Sequence, residues 1–296
     1  MLIITLTLTP YNQELAEILV AELSQIGFDS FQTEDPLLKG FIPESDFVEP
    51  HLKVILDGYR NGDGSALSYT VERLPETNWN ALWEEHFKPV LIPLGKGCSI
   101  WPAGRKHALA PRPAVAYPLV LDPDMSFGTG HHPTTRLMIE ALLRLEAAKE
   151  IKGRRVLDFG CGTGILAILA AKMGASTPVH ALDNSARAKE ACLDNARRNR
   201  VPHKLYTVCG DGAFIQAQRY DIILANINRN LLVDEMGTFA RALDTQTPHA
   251  TGPGHLFLSG FFPQDVPILL QAAKAYGFTK KEERHRQGWA MLHLTK

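Results

Sequence analysis

Residues 156–175 read VLDFGCGTGILAILAAKMGA, and the reading of this stretch decides the fold. An apolar run carrying Asp158 gives way to small residues, and an Ala/Ile/Leu segment long enough for three helical turns follows. That pattern predicts strand, tight turn and helix. Glycines stand at 160, 162 and 164, where they let backbone approach a ligand closely and bring helix N–H groups beside it. The dinucleotide fingerprint needs its third glycine one position later, and Ile165 stands there. The turn therefore predicts an adenosine site and not a pyrophosphate site.

Outward from the turn, the alternation continues for the rest of the chain. Helix patterns cover TTRLMIEALLRL, ILAILAAKM, ARAKEACLDNARRN, NLLVDEMGTFARAL and DVPILLQAAKAY, and strand patterns cover RRVLDF, VHALD, LYTVCG, YDIILAN and HLFLSGF. Two closing strands, TKKEERHR and WAMLHLT, end the chain. This order predicts an α/β fold built on a mostly parallel sheet with an antiparallel terminal hairpin. Pro and Gly punctuate residues 93–118, with short strands at CSIWP and AYPLVLD.

The first 75 residues read differently. Leu6 and Leu8 alternate with Thr5, Thr7 and Thr9, and a helix carrying Leu15, Ile18, Leu19 and Leu23 on one face follows. Two short strands, a helix opened by Ser45, and the strand ALSYTVERL complete a βαββαβ order. That is the split βαβ arrangement of ferredoxin-like α+β domains, and with no glycine loop of its own it reads as a substrate-recognition domain over 1–75. Residues 76–90 read as a linker helix with Asn78 as its cap and Trp79 and Trp83 on one face, leaving 91–296 as the larger domain.

Composition narrows the function. With 296 residues and 45% of them hydrophobic, the chain has enough material for two cores. No apolar stretch approaches the roughly 18 to 20 residues that would span a bilayer, and the N-terminus lacks a positive leader region, so a cytoplasmic protein is expected. Cys98, Cys161, Cys192 and Cys209 form no C-x-x-C pair, so neither a disulfide framework nor a metal site is expected. Residues 1–75 hold 12 acidic and 4 basic side chains, a net of −8, while the remainder carries +7. An acidic first domain opposes phosphate, so direct nucleic-acid binding is not expected; it is either a solvated surface or a face for a cationic partner.

In an open parallel sheet, ligands sit beyond the C-terminal ends of the strands. The residues there form a coherent set: Asp158 with Gly160, Gly162 and Gly164; Asp183, 19 residues after Gly164; Gly210 with Asp211; and Asn226. A carboxylate at 183 accepts from ribose hydroxyls, one at 211 meets an adenine amino group, and Asn226 offers both a donor and an acceptor. Each also has a plain structural reading, as a turn glycine or a helix cap. Polar groups after four successive strands beside a glycine turn are hard to obtain from capping alone.

The D-x-G-x-G-x-G turn resembles motif I of class I S-adenosylmethionine-dependent methyltransferases. More specific is DPDMSFGTGHHPTT, residues 122–135, which resembles the signature D-P-x-x-x-F-G-T-G-x-H-P-T-T of the PrmA family, the methyltransferases of large-subunit ribosomal protein eleven. NWNALWEEHFKP, residues 78–89, is similar to that family's N-W-x-x-x-W-x-x-x-F-x-P, and the likeness covers nearly the whole chain. The resemblance implies that Thr135, Gly160, Asp183 and Asn226 contact S-adenosylmethionine, with Phe127, Gly128, Gly162 and Asp211 beside them. It further implies lysine side chains and the N-terminal amine of the ribosomal protein as acceptors; the Asn226 carbonyl and nearby backbone carbonyls are the candidates to orient the acceptor amine, and a monomer is expected. Departures stand at NINRNLL, residues 226–232, where N-I-L-A-G-P-L is common, at His131 in place of Thr, and at Ser185 in place of an acid. An N-methyltransferase of RNA or of another protein would share the cofactor positions, but exocyclic-amine enzymes on bases usually carry Pro-Pro-aromatic after the Asn. The His131–His132 pair has no carboxylate at ligand spacing and reads as loop structure.

Overall fold

The computed structural model describes residues 2–9, 12–28, 30–59, 66–73, 89–103, 114–122, 130–243 and 252–296. The linker-helix pattern at 76–90 lies outside the described residues apart from its last two. The chain divides into two compact units, Met1–Trp79 and Asn80–Lys296.

The first unit runs β1 (Leu2–Thr9), α1 (Gln13–Gln25), β2 (Ser30–Glu34), β3 (Leu37–Ile42), α2 (Glu49–Gly58) and β4 (Ala66–Arg73). Its sheet has the order β2-β3-β1-β4 with every neighbour antiparallel, the ferredoxin-like topology. Alternation on β1 sends Ile4, Leu6 and Leu8 into the core against Leu19, Leu23, Leu52 and Leu56. A slip of one residue would turn Thr5 and Thr7 inward, so the register is strongly specified. Asn12 caps α1, its Oδ1 accepting the Leu15 N–H at 3.1 Å. Ser45 does not open α2. Its hydroxyl donates to Asp46, and the helix begins at Glu49, where Pro50 supplies a preset first-turn φ without needing a donor.

The second unit begins with a small sheet of β5 (Val90–Ile92), β6 (Cys98–Pro102) and β7 (Tyr117–Leu121). There follow α3 (Pro133–Ala147), β8 (Val156–Phe159), α4 (Ile165–Lys172), β9 (Val179–Asp183), α5 (Ala186–Arg198), β10 (Leu205–Cys209) and β11 (Ile222–Asn226). The chain ends with α6 (Arg229–Asp234), α7 (Met236–Ala242), β12 (His255–Phe261), α8 (Val266–Ala275), β13 (Thr279–Arg286) and β14 (Trp289–Thr295). The large sheet has the order β10-β9-β8-β11-β12-β14-β13, parallel from β10 to β12, with β14 antiparallel to both of its neighbours. This is the class I methyltransferase arrangement.

Strand order reverses between β8 and β11, whose C-terminal ends therefore diverge into a crevice. Their N-terminal ends are clamped together. Arg155 donates its backbone N–H and its guanidinium to the buried Asp221 at 2.8, 2.9 and 3.2 Å. Helix α4 is buried from Ile165 to Ala171 and packs on α3, α5, β7, β8 and β9, so it is apolar on every side. The expected single helix over 230–243 is instead two short ones, broken at Glu235. Gly237 lies just past the break, where an added Cβ would press on the Tyr276 ring at 3.0 Å. Among the described residues no helix is long and apolar enough to cross a membrane.

Candidate active site

The turn after β8 is shaped by three glycines in the left-handed region, Gly162 with φ +51° among them. Gly160 has φ +72°, and a Cβ there would meet Ile227 Cγ2 at 2.3 Å; Gly164 has φ +76°, and a Cβ there would meet Cys192 Sγ at 2.3 Å. Neither position tolerates a side chain. Asp158, 1% exposed, ties the turn to the helix beyond it, its Oδ2 accepting the Ala167 N–H at 3.0 Å. Burial, with Asp183 nearby, pushes its carboxyl up to about 8. Asp158 supports the turn from behind and does not line the cavity in front of it.

Asp183, at the end of β9, accepts the Gly162 N–H at 2.9 Å on one oxygen and the Ser185 N–H at 3.0 Å on the other. It therefore fastens the glycine turn to the neighbouring strand while keeping lone pairs for a ligand. Ser185 is the cap of α5, accepting the Ala188 N–H, so the acid is not needed for capping. Asp211 accepts the Ala213 N–H at 2.9 Å and so makes its own turn with one oxygen.

Gly160, Gly162, Asp183, Asp211 and Asn226 all line one cavity of about 520 Å³ at the C-terminal ends of the strands. That is a volume for a small-molecule ligand of nucleoside size. The Asn226 carboxamide oxygen in its wall is buried and has no hydrogen-bond partner among the described residues. The Thr135 hydroxyl, in the first turn of α3, is likewise buried without a partner among them. Buried polar atoms of this kind are costly unless a ligand completes them. Thr135 is not among the cavity's lining residues, and Phe127 and Gly128 lie outside the described residues.

Several lining residues escaped the sequence reading: His132, Ile227, Asn228, Leu231, Glu235, Gly260 and Trp289. His132 is the α3 cap, with its Nδ1 3.4 Å from the Thr134 nitrogen and 2.7 Å from the Thr134 hydroxyl, and burial lowers its pKa. Its ring stands edge-on to Trp289 at 4.8 Å, and Trp289 stacks on the half-exposed Phe262 at 4.5 Å. Three rings thus run from the surface to the cavity. Asn228 and Arg229 explain the departure at NINRNLL. Asn228 caps α6, its Oδ1 accepting the Leu231 N–H at 3.0 Å, and Arg229 pairs with Asp265 at 3.1 Å. A capped helix thereby follows Asn226 here.

Helix α5 positions the approach to the signature segment. Asn195, fully buried, accepts the Asp122 N–H at 2.7 Å and donates to the Thr163 carbonyl at 3.0 Å. Asn199 binds both the N–H and the carbonyl of Val120, at 3.0 and 2.6 Å. The glycine turn and the end of β7 are therefore held by one helix.

Among the described residues no three His, Cys, Asp or Glu side chains are grouped to hold a metal ion. The cysteines are unpaired, with Cys98, Cys161 and Cys192 buried and Cys209 exposed.

Comparison with known proteins identifies the family. The chain is 37% identical over 284 residues to the Ribosomal protein L11 methyltransferase of Porphyromonas gingivalis, covering 94% of this chain and 90% of that one. It is 34% identical over 284 residues to the protein of the same name from Chlorobaculum tepidum, covering 94% and 91%. A crystal structure of ribosomal protein L11 methylase from Lactobacillus delbrueckii subsp. bulgaricus superposes with a TM-score of 0.59 at 26% identity, covering 70% of this chain and 98% of that one. The family described as Ribosomal protein L11 methyltransferase (PrmA) matches residues 18–296. Matched from residue 18 to its last, with the glycine turn and strand order of a class I fold, the chain belongs to the PrmA family of S-adenosylmethionine-dependent methyltransferases.

Proposed function

We propose that this chain methylates amines of the L11-type ribosomal protein, lysine side chains first and the N-terminal amine with them. The observation that carries the reading is the Asn226 carboxamide oxygen, buried at the cavity wall and lacking a partner among the described residues. S-Adenosylmethionine, when bound, supplies a methyl group on a sulfonium. Asp183 would hold its ribose, Asp211 its adenine amino group, and the turn from Gly160 to Gly164 would lie against its backbone-facing side. The fit rests on the unpartnered Asn226 oxygen in the cavity wall and on the glycine turn, whose Gly160 and Gly162 line the cavity with no Cβ between backbone and ligand.

The acceptor's protonation is the chemical difficulty. A lysine amine with a pKa of about 10.4 is mostly charged at neutral pH and has no lone pair to offer. Burial beside apolar walls favours the neutral form, and the Asn226 oxygen can accept one of its N–H groups and so aim the lone pair. Ile227, Leu231 and Trp289 supply the apolar walls. The proton leaves to water, so no dedicated base is required. A third methyl group on one nitrogen gives it a fixed positive charge, which the Trp289 ring in the cavity wall attracts.

Substrate capture falls to the first unit, whose net charge of −8 suits a lysine-rich protein. Electrostatic capture is screened over about 8 Å at physiological ionic strength. Raising salt from about 50 to 500 mM should therefore weaken binding of the ribosomal protein roughly ten-fold or more while S-adenosylhomocysteine affinity changes little. Titrations of the full chain with each ligand read both. Equal salt dependence for the two would return the acidic bias to an ordinary solvated surface.

A further inference from the structure

Glu235 occupies the one-residue break between α6 and α7 and lies half-buried in the cavity wall. Its carboxylate rests against Gly212: a Cβ built on that glycine would come to 2.3 Å from Oε2 and 2.5 Å from Oε1. The residue before Gly212 is Asp211, so two carboxylates border the same part of the cavity. Asp211 commits one oxygen to the Ala213 N–H at 2.9 Å. No N–H or O–H among the described residues donates to the Glu235 carboxylate. A half-buried carboxylate that lines a ligand cavity and has no donor among the described residues is an acceptor awaiting donors.

We propose that Glu235 is a specificity-determining residue for the purine of the methyl donor: it accepts one hydrogen of the exocyclic amine while Asp211 accepts the other. The inference rests on the donor lying in this cavity, as proposed above. An exocyclic amine offers two N–H donors, one for each of the two carboxylates. A 6-oxopurine presents lone pairs at that position and keeps a single N–H, on the neighbouring ring nitrogen, so at least one of the two carboxylates loses its donor. Sites built to satisfy an N–H reject analogues that lack it by large factors, because the site's own polar groups are left unpaired. The broken helix has a role in this account, since it brings Glu235 over Gly212.

Calorimetry on the full chain with S-adenosylhomocysteine and with S-inosylhomocysteine tests the assignment. Wild type should prefer the adenosyl ligand by about 100-fold or more. Glu235→Gln, nearly isosteric and able to donate to an oxo group, should narrow that preference by about ten-fold. Asp183→Ala should weaken both ligands alike and leave the preference intact. An unchanged preference in Glu235→Gln overturns the role of Glu235. Unchanged affinity for both ligands in Asp183→Ala overturns the placement of the donor, and the inference falls with it.

Discussion

Asn226→Ala is expected to lower the rate of methyl transfer by roughly 100-fold, the scale on which removal of one preorganised polar group at a reacting centre lowers kcat. Its oxygen is buried at the end of β11 with no partner among the described residues and is open to a ligand's donor. If it aims the acceptor amine, its contribution appears mainly in the transition state, and cofactor affinity should fall far less than rate. Single-turnover methylation alongside S-adenosylhomocysteine titration separates the two quantities. Equal losses in both would assign Asn226 to cofactor binding alone.

The second large effect is on binding. Asp183→Ala should weaken S-adenosylhomocysteine by about 1.5 to 3 kcal/mol, the range for hydrogen bonds to a charged group. Two causes add: the lost acceptors for ribose hydroxyls, and the released Gly162 N–H, which Asp183 holds at 2.9 Å. Asp183→Asn keeps an acceptor oxygen for one of these bonds and should fall between wild type and alanine. Calorimetry on both variants, with circular dichroism to establish folding, measures it; unchanged affinity in a folded alanine variant contradicts the assignment.

Why these residues could be read from sequence, and others could not, follows from how the fold places them. Gly160, Asp183, Asp211 and Asn226 each stand at the end of a strand or within two residues of it, and a parallel sheet brings all strand ends to one side. Local pattern was sufficient for them. Trp289 reaches the cavity from the far side of the sheet order, at the start of β14, where its own neighbourhood reads only as half of a hairpin. Glu235 was hidden for another reason. A continuous helix over 230–243 makes it one charged residue among a solvated face, and only the break turns it toward Gly212.

Asn195 and Asn199 mislead in the same direction. Polar residues on the mostly polar α5 suggest exposure, yet they are 0% and 6% exposed and bind the glycine turn and β7. Their partners are 32 and 79 positions away along the chain, beyond the reach of periodicity. Ser45 shows the limit of cap reading, since a Ser before an apolar stretch competed with a Glu-Pro helix start four residues later and lost.

The central claim is that this cavity delivers methyl groups to amines of the L11-type ribosomal protein. Mass spectrometry of that protein, after incubation with the full chain and S-adenosylmethionine, tests it most directly. The account predicts whole-methyl increments mapped by fragmentation to lysine side chains and the N-terminal amine, and none with Asn226→Ala over the same interval. An unmodified ribosomal protein, in the presence of a folded chain that binds S-adenosylhomocysteine, would contradict it.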